Sequence, residues 1–148
     1  MSRQLALGGQ PVVVAHWSEA RAVAEQHPHL NRLLLVEAPA DSELLGPLVR
    51  AALERGCALI VCLGHDADRV HRLVDALCDE ASPPGPPVAT SWHDAAEGPG
   101  ATLDAFALFS EWVGGSPGVP LLVTEDAGLD EILDAARAFR RAPVPGEP

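Results

Sequence analysis

Five short apolar runs each end in an imidazole or a carboxylate: His16, Glu37, His65-Asp66, His93-Asp94 and Glu125-Asp126. Helix-like sequence follows each of them within a few residues. If the runs are parallel strands of one sheet, all of these groups fall on the edge where α/β proteins place their sites. Neighbouring strands lie about 4.8 Å apart, so adjacent groups can share a ligand or a divalent ion. A mixed imidazole and carboxylate set suits Zn2+, Mn2+ or Fe2+ better than Mg2+. The candidate binding edge is therefore His16, Glu37, His65, Asp66, His93, Asp94 and Glu125. A structural reading competes with this one, because Ser18, Asp41 and Asp66 stand where helix caps belong. His65 and His93 are not needed for capping, which makes them the candidate metal ligands.

The elements that must position these groups follow from the hydrophobic pattern. Residues 11–15, 33–36, 58–63, 88–91 and 119–124 read as strands, and the second, third and fifth are apolar without alternation. Between them lie amphipathic helices. One carries Leu44, Leu45, Leu48, Val49, Ala52 and Leu53 on a single face and stops at Gly56; another carries Val70, Leu73, Val74 and Leu77. Ser18 is placed to cap the helix that starts at Glu19, and Asp41 or Ser42 the second. Further helices are expected over 103–113 and 129–139, with breaks at the Pro/Gly stretches 82–87 and 114–118. Five such βα units predict a three-layer α/β fold with a five-stranded, mainly parallel sheet. A chain winding both ways with right-handed crossovers makes the flavodoxin-like order 2-1-3-4-5 the natural expectation. Residues 1–9 read as an N-terminal extension, 10–141 as a single domain and 142–148 as a frayed tail.

Composition narrows the function classes. A chain of 148 residues can bury one core, and no apolar run reaches the length of a membrane span. The N-terminus has no apolar segment of secretory length, and three cysteines without CxxC spacing suit reduced, mostly buried thiols. These features predict a soluble, cytoplasmic protein. The net charge is −11, and every basic residue is arginine. That balance disfavours nucleic acid and anionic membrane, and favours a basic partner or divalent cations. Four of the six aromatic residues, Trp92, Phe106, Phe109 and Trp112, fall within about twenty positions. On a helix that is apolar nearly all round, such a cluster is core or a partner surface, including one between two copies of this chain.

Two segments resemble known families. Leu35-Val36-Glu37-Ala38-Pro39 followed by Asp66-Ala67-Asp68-Arg69 resembles the Toprim domain of primases and type I topoisomerases. That resemblance implies a Mg2+ site for phosphodiester chemistry, with Glu37 as general acid/base and Asp66 and Asp68 as ligands. It departs from the family in its spacing, 37 to 66, which leaves no room for an intervening strand, and in Ala38 where glycine is usual. The second resemblance covers residues 50–112. Gly56-Cys57, Gly64-His65-Asp66 and Thr90-Ser91-Trp92-His93-Asp94 are similar to a small, acidic, uncharacterised bacterial domain family with a T-[ST]-W-H-[DE] segment. That family implies no established activity.

Several chemistries are set aside. The chain has no GxGxxG after the first strand, no Walker A loop, no GxSxG elbow and no HExxH. A receiver domain needs an acidic pair after the first strand and a lysine after the fifth, whereas here His16-Trp17 ends the first and lysine is missing altogether. Candidate ligands are present, but a nucleophile, base and orienter set is not. The expectation is therefore a non-catalytic protein-interaction module, similar in size and charge to immunity proteins that neutralise basic toxins. The alternative is a metal-dependent hydrolase or phosphotransferase working through the strand-end histidines and carboxylates.

Overall fold

The computed structural model describes residues 3–7, 10–39, 42–81, 88–94, 96, 118–125, 130 and 134. The linker at 82–87, the helix expected over 103–113, nearly all of the one over 129–139 and the tail lie outside the described residues. So do Phe106, Phe109 and Trp112.

Strand β1 (Arg3–Leu7) leads to β2 (Gln10–His16), a short 3-10 turn (Trp17–Glu19) and helix α1 (Ala20–Gln26). Then come β3 (Leu30–Val36), α2 (Ser42–Glu54), β4 (Leu59–Gly64), α3 (Ala67–Ala81), β5 (Ala89–Asp94) and β6 (Val119–Thr124). One six-stranded sheet has the order β1-β2-β6-β3-β4-β5. The five expected strands are all parallel to one another, and β1 adds an antiparallel edge beside β2. The stretch expected to be an N-terminal extension thus contains a strand, whose Leu7 pairs with Gln10.

The strand order corrects the flavodoxin-like expectation. The chain advances in one direction through β2, β3, β4 and β5, leaving a gap one strand wide after β2. The last strand, β6, fills that gap between β2 and β3. The reversal expected after the second parallel strand thus falls after the fourth. With right-handed crossovers, a one-way advance places successive helices on one face. That is where α1, α2 and α3 lie, packed against Val13, Ala15, Leu33, Leu35, Ile60, Cys62, Leu121 and Val123.

The alternate residues Val14, Leu34, Val61 and Leu122 on the second face are buried as well. Burial on both faces explains why β3, β4 and β6 read as continuous apolar runs and not as alternating ones. Leu33, Leu34, Leu35, Ile60, Leu121 and Leu122 each keep less than 2% of their surface exposed. Each such burial contributes about 2 kcal/mol, so the centre of the sheet anchors the strand ends. No helix among the described residues is long and apolar enough to cross a membrane.

Candidate functional site

Parallel register brings the strand ends onto one edge in the order His16, Glu125, Glu37, His65-Asp66, His93-Asp94. The insertion of β6 changes who meets whom. His16 has Glu125 as its neighbour, and Glu37 has His65.

His16 closes β2 and opens the 3-10 turn. Its Nδ1 accepts the Ser18 backbone N–H at 3.3 Å and lies 3.0 Å from the Ser18 hydroxyl. A ring nitrogen that accepts an N–H carries no proton, so the proton of the neutral ring sits on Nε2. That nitrogen reaches Glu125 Oε2 at 2.8 Å. Both nitrogens of His16 are therefore committed, and neither offers a lone pair to a metal. The capping expected of Ser18 is likewise corrected. Because the chain first tightens into a 3-10 turn, His16 supplies the side-chain cap, and Glu19, the residue before α1, makes no side-chain cap bond.

Glu37 follows β3 with a φ of 49°, in the left-handed region that side chains other than glycine seldom occupy. Its N–H donates to the Leu63 carbonyl at 2.8 Å, while the Trp17 indole N–H donates to the Val36 carbonyl at 2.8 Å. These bonds turn the chain so that the Glu37 carboxylate lies over the end of β4. There it accepts the His65 backbone N–H at 3.2 and 3.3 Å and meets His65 Nδ1 at 2.8 Å. The seat exists because residue 64 is glycine. Its φ is 144°, and a Cβ built there would stand 2.8 Å from Glu37 Cδ and Oε2. The carboxylate fixes the proton of the neutral His65 ring on Nδ1, leaving the Nε2 lone pair on a side chain that is 83% exposed. Such a nitrogen can accept an N–H, take a proton or bind a cation.

The other expected residues take separate positions. His93 pairs in register with Leu63, on the sheet face away from the helices, whereas His65 turns towards β3. Asp94 Oδ1 accepts the Ala96 N–H at 3.0 Å. Asp66 stands directly before α3, and its carbonyl accepts the Val70 N–H at 2.9 Å, as a residue at a helix start does. Among the described residues no three His, Cys, Asp or Glu side chains gather to hold a metal. The arrangement implied by the Toprim resemblance is not assembled: β3 and β4 are direct neighbours, Asp68 is held by Arg72 at 3.0 Å, and Glu37 is held by His65.

A crevice lies between the ends of β3 and β4 and the start of α3, with Glu37, Cys62, Gly64, Asp66 and Ala67 in its walls. It encloses about 170 Å3, open solvent included. The cysteines add no nucleophile. Cys57 and Cys62 are buried free thiols whose pKa burial pushes up to about 12, and Cys78 is raised for the same reason.

One polar cluster escaped the sequence reading. The Thr90 hydroxyl donates to Asp75 Oδ1 at 2.6 Å and lies 2.9 Å from His71 Nε2. His71 and Asp75 are i,i+4 on α3, one step round from the buried Val70 and Val74. That offset was visible in the sequence, but their partner on β5 was not.

The edge also carries apolar surface. Leu44, in the first turn of α2, is 45% exposed, and Trp92, near the end of β5, is 42% exposed. Fold and site thus define a parallel-sheet α/β domain with an edge of paired imidazoles and carboxylates flanked by two large apolar side chains. A family model described as a domain of unknown function, DUF7684, matches residues 13–120, and the chain belongs to that family. The match spans the region that resembled a small domain family without an established activity. No curated protein and no solved structure matches the chain.

Proposed function

We propose that this domain is a non-catalytic interaction module, acting inside the cell, that binds a basic protein through the C-terminal edge of its sheet. The observation that carries the reading is the placement of Leu44 and Trp92 on the same edge as the exposed Glu37, Asp66, Asp94 and Glu125. Protein interfaces combine a few large apolar anchors with a polar rim, and complementary charge selects and steers the partner. A net charge of −11 supports a basic partner and opposes an edge-to-edge meeting of two copies. The test is affinity capture from native lysate by the intact protein and by a Leu44→Ser/Trp92→Ala variant with an unchanged melting curve. The expected result is one basic protein held by the intact chain, released by moderate salt and lost in the variant. Equal retention of the same nonspecific material by both proteins would sink the proposal.

The Glu37–His65 pair favours a second reading, a metal-dependent hydrolase or phosphotransferase. A carboxylate that fixes the Nδ1 proton is the usual support of a metal-binding imidazole. On this reading Zn2+, Mn2+ or Mg2+ raises the melting temperature of the intact protein and not that of His65→Ala. An unshifted melting curve with all three ions counts against it.

A further inference from the structure

Where β5 ends beside α3, the surface is more specific than an acidic edge requires. Trp92 pairs in register with Cys62, which belongs to the core beneath α3, so the indole emerges on the helix-covered side of the sheet. Cys62 is buried there, yet Trp92, on the outer strand of the described sheet, stays exposed. Asp94 follows two residues later on the same side, opposite Gly64, and Asp66 stands at the start of α3. Both carboxylates are on exposed residues, and Asp66 has no cation partner among the described residues. Asp94 is steadied by the Ala96 N–H at one oxygen. Among the described residues the charges placed around this corner are Glu37, Asp66, Asp68 and Asp94 against Arg69 and Arg72, with Glu37 held by His65 and Asp68 by Arg72.

We propose that Trp92 is the platform for an arginine side chain of the partner, its guanidinium lying on the indole and donating to the carboxylates of Asp94 and Asp66. The inference rests on the interaction-module reading of this edge and specifies what that edge selects. An indole is the strongest aromatic partner for a cation. The planar guanidinium both stacks on a ring and presents a fork of N–H donors to carboxylates, whereas an ammonium is a compact, strongly hydrated charge. Trp92 beside carboxylates therefore separates arginine from lysine, which negative charge alone does not.

The test uses the full chain with two defined probes, a blocked tetra-arginine peptide and its tetra-lysine counterpart. Affinities are measured by titration calorimetry, and the Trp92 indole N–H is followed by NMR. The arginine peptide is expected to bind about threefold more tightly, the size of an exposed cation–π contact, and to shift the Trp92 indole resonance. Trp92→Leu should erase that preference and Trp92→Phe should keep part of it, both with unchanged melting curves. Asp66→Asn/Asp94→Asn should weaken the arginine peptide more than the lysine one. Equal, salt-suppressed binding of the two peptides would overturn the arginine site while leaving the acidic edge as an interaction surface. If neither peptide binds, the basic-partner reading falls with it.

Discussion

Glu37 holds a left-handed conformation that costs a side-chain-bearing residue about 1 kcal/mol, and its hydrogen bonds to Leu63 and His65 offset that cost. Gly64 is the other half of the arrangement, because a Cβ there would strike the Glu37 carboxylate. Gly64→Ala should therefore destabilise the fold by about 2 kcal/mol in urea denaturation. Adding Glu37→Ala should recover part of that loss, since the clash is gone while the unfavourable φ at residue 64 remains. A second expectation concerns the thiols of Cys57 and Cys62. In the unfolded chain they ionise near 9.0, whereas burial holds them protonated to about 12 in the folded one. The folded state thus binds more protons between those values, and its stability should fall as pH rises through that window. Urea midpoints measured across it should decline for the natural chain and decline less steeply for Cys57→Ala/Cys62→Ala. The sequence marked Glu37 and His65 individually, since each ends an apolar run. Their contact was not legible, because it depends on which strands are neighbours and on a backbone angle that glutamate rarely adopts.

At the level of elements, α3 shows both what periodicity reveals and where it stops. Val70, Leu73, Val74 and Leu77 follow the helical repeat, and they face the core fully or in part. Beside that stripe His71 and Asp75 look like ordinary solvated helix residues, yet both reach the Thr90 hydroxyl. Because β5 is only half-buried, this polar contact takes over part of the work that apolar packing does for β3 and β4. Thr90→Val preserves shape and β propensity but leaves His71 and Asp75 without their shared hydroxyl. The expected cost is about 1–2 kcal/mol, kept modest because Asp75 remains partly open to water. Hydrogen exchange locates the effect: amides of β5 should lose protection before those of β4. Equal loss in both strands would mean that Thr90 supports the whole sheet and not the attachment of its edge. Capping teaches a related lesson at α1. Residue type alone made Ser18 the natural cap, but the 3-10 turn moves that role to His16, whose imidazole is then unavailable for ligand chemistry.

For the whole molecule the decisive feature is that the last described strand in sequence is central in space. Hydrophobic pattern identified all five parallel strands, but it does not encode where the chain reverses direction. The order 2-1-3-4-5 would put the final strand at an edge. The structure places β6 between β2 and β3, with Leu121, Leu122 and Val123 buried to 1% exposure or less. The two arrangements respond differently to truncation. If β6 were an edge strand, a chain ending before residue 118 would keep the other parallel strands paired and lose one flank. With β6 central, the same truncation opens backbone edges on β2 and β3 and cuts the sheet in two. Unpaired interior edges and lost apolar contacts are each expensive, so that shortened chain should be unfolded or aggregated by circular dichroism and size-exclusion chromatography. Removal of residues 1–9, which takes away only the outer strand β1, should leave a cooperative thermal transition at a lower temperature. The pairing of β2 with β6 also joins residues such as Val14 and Leu122 that are far apart in sequence. Contacts of that separation form slowly because the loop they close is long. Refolding should therefore be slow, and Leu122→Ala should retard it in stopped-flow fluorescence if closure of the sheet by β6 is part of the rate-limiting step. If Leu122→Ala instead accelerates unfolding alone, β6 enters after the barrier, and the four-strand advance from β2 to β5 sets the folding rate.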